Sequence, residues 1–153
     1  MNPHPPRASN ASHRRSVGAL RAACAICLFA GGLLSTDLRA APLLRCQVEA
    51  SGSTRTLEFS PVTDPYSVAP IDINDHFRFK AVVVGSATRV EYIKLYVYVT
   101  TKREPMLIHA TNYLAPEVSH DTRPAALTGI NHVYAPRLER ELQYGCALLE
   151  ART

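Results

Sequence analysis

The 153 residues give room for one domain of ordinary size, and 46% hydrophobic with 20% charged residues excludes a chain that is disordered throughout. The formal charge of +4 is carried by the N-terminal segment. Five arginines and one acid fall in residues 1–40, leaving 12 basic and 12 acidic residues from position 41 onward. A body of zero net charge without a basic stripe lacks what a nucleic-acid partner requires, namely neutralised phosphates.

Residues 1–40 have the pattern of a secretory signal. A Pro-rich start ends in Arg14-Arg15, and an apolar run follows from Ala22 to Leu34. Those 13 residues suit the apolar core of a signal peptide and fall short of the roughly 20 that span a bilayer. Cleavage after Ala40 places Ala at −1 and Leu38 at −3, so the expectation is a leader over 1–40 and a single domain over 41–153. The exported chain is then periplasmic or secreted, with no stable membrane span once the leader is gone. Cys24 and Cys27 have C-x-x-C spacing, but they sit in an apolar stretch destined for removal and count as neither a redox nor a metal site. Arg14-Arg15 is not followed by the bulky apolar residues of a twin-arginine signal, which favours the general secretory route.

From there the chain reads as strands. Leu44, Cys46, Val48 and Ala50 alternate with polar residues, a half-buried strand, and Ser51-Gly52-Ser53 is a turn. Thr54–Phe59 is the next strand, and three prolines mark residues 60–70 as a loop. Residues 71–75 pair only briefly. His76–Thr101 predicts a central hairpin, two runs rich in β-branched and aromatic residues about a short turn. On its second strand Ile93, Leu95, Val97 and Val99 share one face, and Tyr92, Lys94, Tyr96 and Tyr98 share the other.

Met106–Tyr113 is a further strand, with Leu107, His109, Thr111 and Tyr113 expected on one face. Leu114–Gly129 is a long irregular stretch, the kind that in a compact domain carries function or moves. Ile130–Ala135 is a short strand. The segment 136–150 fits two periods. Leu138, Leu142 and Leu149 make a helical stripe, whereas Leu142, Tyr144, Cys146 and Leu148 alternate, and Gly145 disfavours a helix interior. The alternation predicts a strand over 140–149.

Six to eight short strands and no convincing helix define the fold class as all-β: a small two-sheet antiparallel β-sandwich. Tyr144-Gly145-Cys146 resembles the Tyr-x-Cys spacing of the immunoglobulin-like tyrosine corner, over three residues. The resemblance supports a sandwich in architecture only, since the chain has no Trp and its mature cysteines lie far apart in sequence. Those cysteines, Cys46 and Cys146, stand on inward strand positions of an exported chain and are expected to be bonded, tying the first strand to the last and closing the domain.

The remaining chemistry is sparse. His76, His109, His120 and His132 survive the leader, and export makes copper or zinc conceivable, with Met106, His109, His120 and His132 as the metal candidates. Their spacing has no H-x-H or H-x₃-H regularity, and Met106 and His109, three apart on a strand, should face opposite sides. No G-x-S-x-G elbow and no H-E-x-x-H helix is present, and Glu139 and Glu141 stand beside Arg137 and Arg140 as a solvated charged face. The strongest binding signal is the face of Tyr92, Lys94, Tyr96 and Tyr98. It combines apolar rings with hydroxyl tips, as interfaces and sugar-binding surfaces do. These readings point to a non-catalytic binding or assembly module of the cell envelope without a cofactor, its partner an envelope protein or a glycan. A periplasmic copper- or zinc-binding or delivery domain is the alternative, and a small hydrolase-like enzyme comes third.

Overall fold

The structure, a computed structural model, describes residues 40–135 and 139–151. Apart from Ala40, the segment expected as a leader lies outside the described residues, as do Arg137 and Leu138. Among the described residues the first strand begins at Pro42, and Ala151 N–H donates to the Ala41 carbonyl at 2.8 Å.

Strands β1 (Pro42–Ala50) and β2 (Ser53–Phe59) form a hairpin. Its two turn residues, Ser51 and Gly52, both have positive φ, +53° and +76°. That is the type I′ geometry whose twist matches the flanking strands. A proline-marked loop follows, with one 3₁₀ turn, Pro65–Ser67, capped by the Asp64 carboxylate on the Tyr66 N–H. The chain then makes a meander of β3 (Ile71–Asp72), β4 (Phe77–Gly85), β5 (Val90–Val99) and β6 (Met106–Leu114). A last hairpin joins β7 (Ile130–Ala135) to β8 (Arg140–Glu150). The final segment is therefore the strand that the Leu142–Leu148 alternation predicts.

Pairing sorts these strands into two antiparallel four-stranded sheets, β2-β1-β8-β7 and β3-β4-β5-β6. The central hairpin expected from the sequence is the middle of the second sheet. The two sheets pack through their inward positions: Leu44, Cys46 and Val48 with Leu142, Tyr144 and Leu148 on one side, and Phe77, Phe79, Ile93, Leu95 and Val97 on the other. Each of these large side chains, removed from water, contributes on the order of 1.5–3 kcal/mol. Aromatic rings bridge the layers. Phe79 of β4 lies 5.3 Å, centroid to centroid, from Tyr144 of β8 and 6.2 Å from Phe59 of β2. The molecule is an all-β sandwich.

The disulfide joins Cys46 to Cys146, residues 100 apart in sequence. The two are direct register partners on β1 and β8, with Cα atoms 4.0 Å apart. The Cys146 N–H and carbonyl are engaged on the far side, by Thr128 Oγ1 and by the amides of Leu127 and Thr128. The cysteines therefore form a narrow, non-hydrogen-bonded pair, where facing side chains come closest. The bridge ties first strand to last, as expected, but within one sheet and not between the two.

Two local features differ from what the sequence predicts. In β6 the register against β5 shifts: Val97 faces His109, Tyr98 faces Leu107, and Ile108 is the extra residue of a bulge. The bulge puts Leu107 on the face opposite His109, correcting the single face expected for Leu107, His109, Thr111 and Tyr113. It also gives Met106 (opposite Val99) the same side as His109, where three-residue spacing had predicted opposite sides. The second feature is Tyr144. Its hydroxyl meets His109 of the other sheet at 2.8 Å, so no tyrosine corner is made. Tyr-x-Cys here is simply two successive inward positions of one strand.

The 114–129 segment runs beside β8. Ser119 N–H donates to the Leu148 carbonyl, and Leu127 and Thr128 N–H to that of Cys146. These bonds cover the part of β8 that extends beyond β7. Gly145 makes the approach possible, because a Cβ there would stand 2.8 Å from the Ala125 Cβ.

Candidate functional site

Alternation along β5 decides where the tyrosines go. Ile93, Leu95 and Val97 are fully buried and Val99 nearly so, which turns Tyr92, Lys94, Tyr96 and Tyr98 to the outer face of the second sheet, all four half-buried. The sequence brought these four together, and the structure keeps them in one row. Tyr96 and Tyr98 stack at 6.3 Å with ring planes 30° apart. Lys94 Nζ sits 5.3 Å from the centre of the Tyr92 ring, within cation–π range.

Register with β4 adds residues the sequence reading did not single out. Arg78 faces Tyr98, Lys80 faces Tyr96, Val82 faces Lys94 and Val84 faces Tyr92. The outer face thus carries three cations among three phenol rings. Val82 and Val84 are buried at 3% and 8% exposure on this same face, an apolar floor between the rings. Asp72, on the edge strand β3, lies 2.7 Å from Arg78 Nε. Lys80 and Lys94 have no ion pair among the described residues. Burial, with Tyr96 alongside, raises the Tyr98 phenol above its ordinary value. From β6 the partners across this face are Leu114, Asn112, Ala110 and Leu107. A signal for Arg78 and Lys80 existed in the sequence: in Phe77-Arg78-Phe79-Lys80 the cations alternate with two core phenylalanines.

The metal candidates are placed apart in role. His109 is half-buried against Tyr144, their rings 5.7 Å apart and edge-on. Burial lowers the His109 imidazole below its ordinary value and pushes the Tyr144 phenol up to about 12. Both are therefore neutral partners in one hydrogen bond. His132 on β7 pairs through Nδ1 with the Glu141 carboxylate on the neighbouring strand. His120 is exposed in the 114–129 segment, and Met106 is 49% exposed at the start of β6. Among the described residues, no three of His, Cys, Asp and Glu are grouped as a metal site.

The 114–129 segment helps wall two concavities, one of them, of about 520 Å³, through Ala115–Val118. Its residues Arg123–Ala126 wall a groove of about 530 Å³ on the outer face of the first sheet, floored by Gln47, Glu49, Gln143 and Gly145. Arg123 does not reach in as a free cation. Its Nε and Nη2 hold both oxygens of Asp121, and these hydrogen bonds keep the Asp121 carboxyl down at about 2.

The chain matches no protein-family model, and comparison with curated proteins and with solved structures gives no match. Among the described residues no helix is long and apolar enough to cross a membrane.

Proposed function

We propose that this protein is an exported, non-catalytic binding or assembly module of the cell envelope. Its binding surface is the outer face of β4–β5–β6, and its partner is acidic or rich in hydroxyls: an envelope glycan or protein. One observation carries the reading. Tyr92, Tyr96 and Tyr98 form a row roughly 20 Å long at about 3.3 Å per residue, interleaved with Lys94 and flanked by Lys80 and Arg78 on the next strand. Phenol rings offer stacking area to a sugar ring or an apolar side chain, their hydroxyls accept and donate hydrogen bonds, and the cations favour carboxylate or phosphate. Export is supported by the signal-like leader and by the core disulfide, a bond that persists in oxidising compartments.

The test uses three immobilised probes: polygalacturonate, acidic and hydroxylated; dextran, hydroxylated only; and polyglutamate, acidic only. Binding to at least one is expected, weakened by Tyr96→Ala or Lys94→Gln in variants that remain folded at the assay temperature. Absence of binding to all three, or binding indifferent to both variants, overturns the proposal.

A further inference from the structure

The two sides of the sandwich are finished differently. On one side lie the edge strands β2 and β3. β2 carries Arg55 and Glu58, β3 is two residues long, and Arg55 Nη1 donates to the Asp72 carbonyl at 2.6 Å, tying the sheets together. Charge, shortness and cross-sheet closure are the usual means of blunting an edge. On the other side lie β6 and β7, the last strand of each sheet. Their sequences, MLIHATNYL and INHVYA, contain no Lys, Arg, Asp, Glu, Pro or Gly. Of the six large apolar side chains exposed among the described residues, five are on these two strands: Met106, Leu107, Leu114, Ile130 and Tyr134.

The backbone of β6 is equally open. Ala115 N–H donates to the Glu91 carbonyl at 2.7 Å, which sets the hydrogen-bonding phase of the β5–β6 ladder. Tyr113 and Thr111 then bond to β5, while the N–H and C=O groups of Leu114, Asn112 and Ala110 point away from it. Among the described residues β6 has no strand on that side. The bulge at Ile108 lies at the other end, leaving residues 109–114 as a regular edge.

We propose that β6 is a dimer interface: two copies of this chain join their β6 edges antiparallel about a two-fold axis, extending the second sheet from four strands to eight. The occupant is a second copy because the open side is two layers deep and neither strand carries Lys, Arg, Asp or Glu. A single extended peptide satisfies one layer, whereas a two-fold mate brings its own β6 to β6 and its own β7 beside β7. An uncharged edge is also complementary to itself, with no like charges to oppose. Pairing centred near Asn112 sets Ala110 of one copy against Leu114 of the other.

The test is the mass in solution of the oxidised protein, by light scattering and sedimentation up to high micromolar concentration. A doubled mass is expected. Ala110→Lys and Leu114→Lys, both at exposed positions, should return it to the single-chain value, while Thr56→Lys on the opposite edge leaves it doubled. In the unmutated protein, exchange at the Ala110, Asn112 and Leu114 amides should slow as concentration rises. A single-chain mass at every concentration overturns the proposal, and so does a doubled mass that survives both β6 lysines. A monomer that binds a synthetic peptide of residues 106–114 also overturns it and makes the occupant an extended segment. None of these readings depends on the glycan and polyglutamate probes, so the two proposals stand or fall separately.

Discussion

His109 Nε2 and the Tyr144 hydroxyl lie 2.8 Å apart, a hydrogen bond that runs through the core from one sheet to the other. With Tyr144 1% exposed, neither group can change its charge there without loss. A buried imidazole with a lowered pKa takes up its proton later than the same imidazole in the unfolded chain. Below the ordinary value of about 6.5 the unfolded state therefore binds more protons. The stability this site contributes is whole above that pH and is lost as pH falls from there toward the lowered value. Unfolding midpoints from pH 8 down to pH 5 should drop more in the unmutated protein than in His109→Gln. Equal slopes would show that the imidazole does not sense its burial. The phenol gives the opposite limb, with stability lost as pH rises from about 10 toward about 12.

Removing the hydroxyl alone, Tyr144→Phe, should cost about 1 kcal/mol, the net worth of one hydrogen bond. Tyr144→Ala should cost about 3–5 kcal/mol, because the ring packs against Phe79 and its loss leaves a cavity. Denaturant midpoints at constant slope measure both.

Leu95→Ala and Tyr96→Ala separate core from surface on adjacent residues. Leu95 is fully buried and should lose about 2–5 kcal/mol. Tyr96 is half-buried on the outer face and stacks only on Tyr98 among the described aromatic rings, so its loss should be clearly smaller. Equal, large losses would mean that the row is part of the core and would remove the basis for a binding face.

Replacing Cys46 or Cys146 by Ser should lower stability by about 2–5 kcal/mol, since the bridge restricts a long loop in the unfolded chain. Peptide mapping without reductant should recover the linked pair. Two thiols reactive toward maleimide in the untreated protein would contradict the bond.

Gly145→Ala should destabilise by about 1–3 kcal/mol, as overpacking does, and should speed amide exchange at Leu127 and Thr128. Its Cβ would meet Ala125 at 2.8 Å. Adding Ala125→Gly should recover part of the loss; no recovery would mean that the clash is with another group.

Much of this was legible in the sequence, for physical reasons. The alternation in β5 and in residues 142–148 of β8 specifies strands and their buried faces, because side-chain direction has a period of two. The cysteine pair was legible because only two cysteines lie beyond residue 40, each at an inward position of an alternating strand. Other features depended on long-range placement. A one-residue bulge leaves no mark in composition, so Leu107 was put on the wrong face. The partnership of His109 with Tyr144 requires knowing which strands oppose across the sandwich. Arg78 and Lys80 joined the tyrosine row only once the β4–β5 register was fixed. The course of residues 119–128 along β8 is written in backbone hydrogen bonds, and its single sequence trace is a glycine inside a strand.

The placement of the disulfide sets how the domain responds to mechanical load. Pro42 faces Glu150 and four register pairs precede the cysteines, so tension applied at these two residues peels β1 from β8 one pair at a time. Peeling stops at Cys46–Cys146, and the force then passes through the covalent bond, bypassing the 99 residues between the two cysteines. Pulled from Pro42 and Glu150, the oxidised domain should lengthen by a few residues and then hold, whereas the reduced domain should extend through all the residues between them.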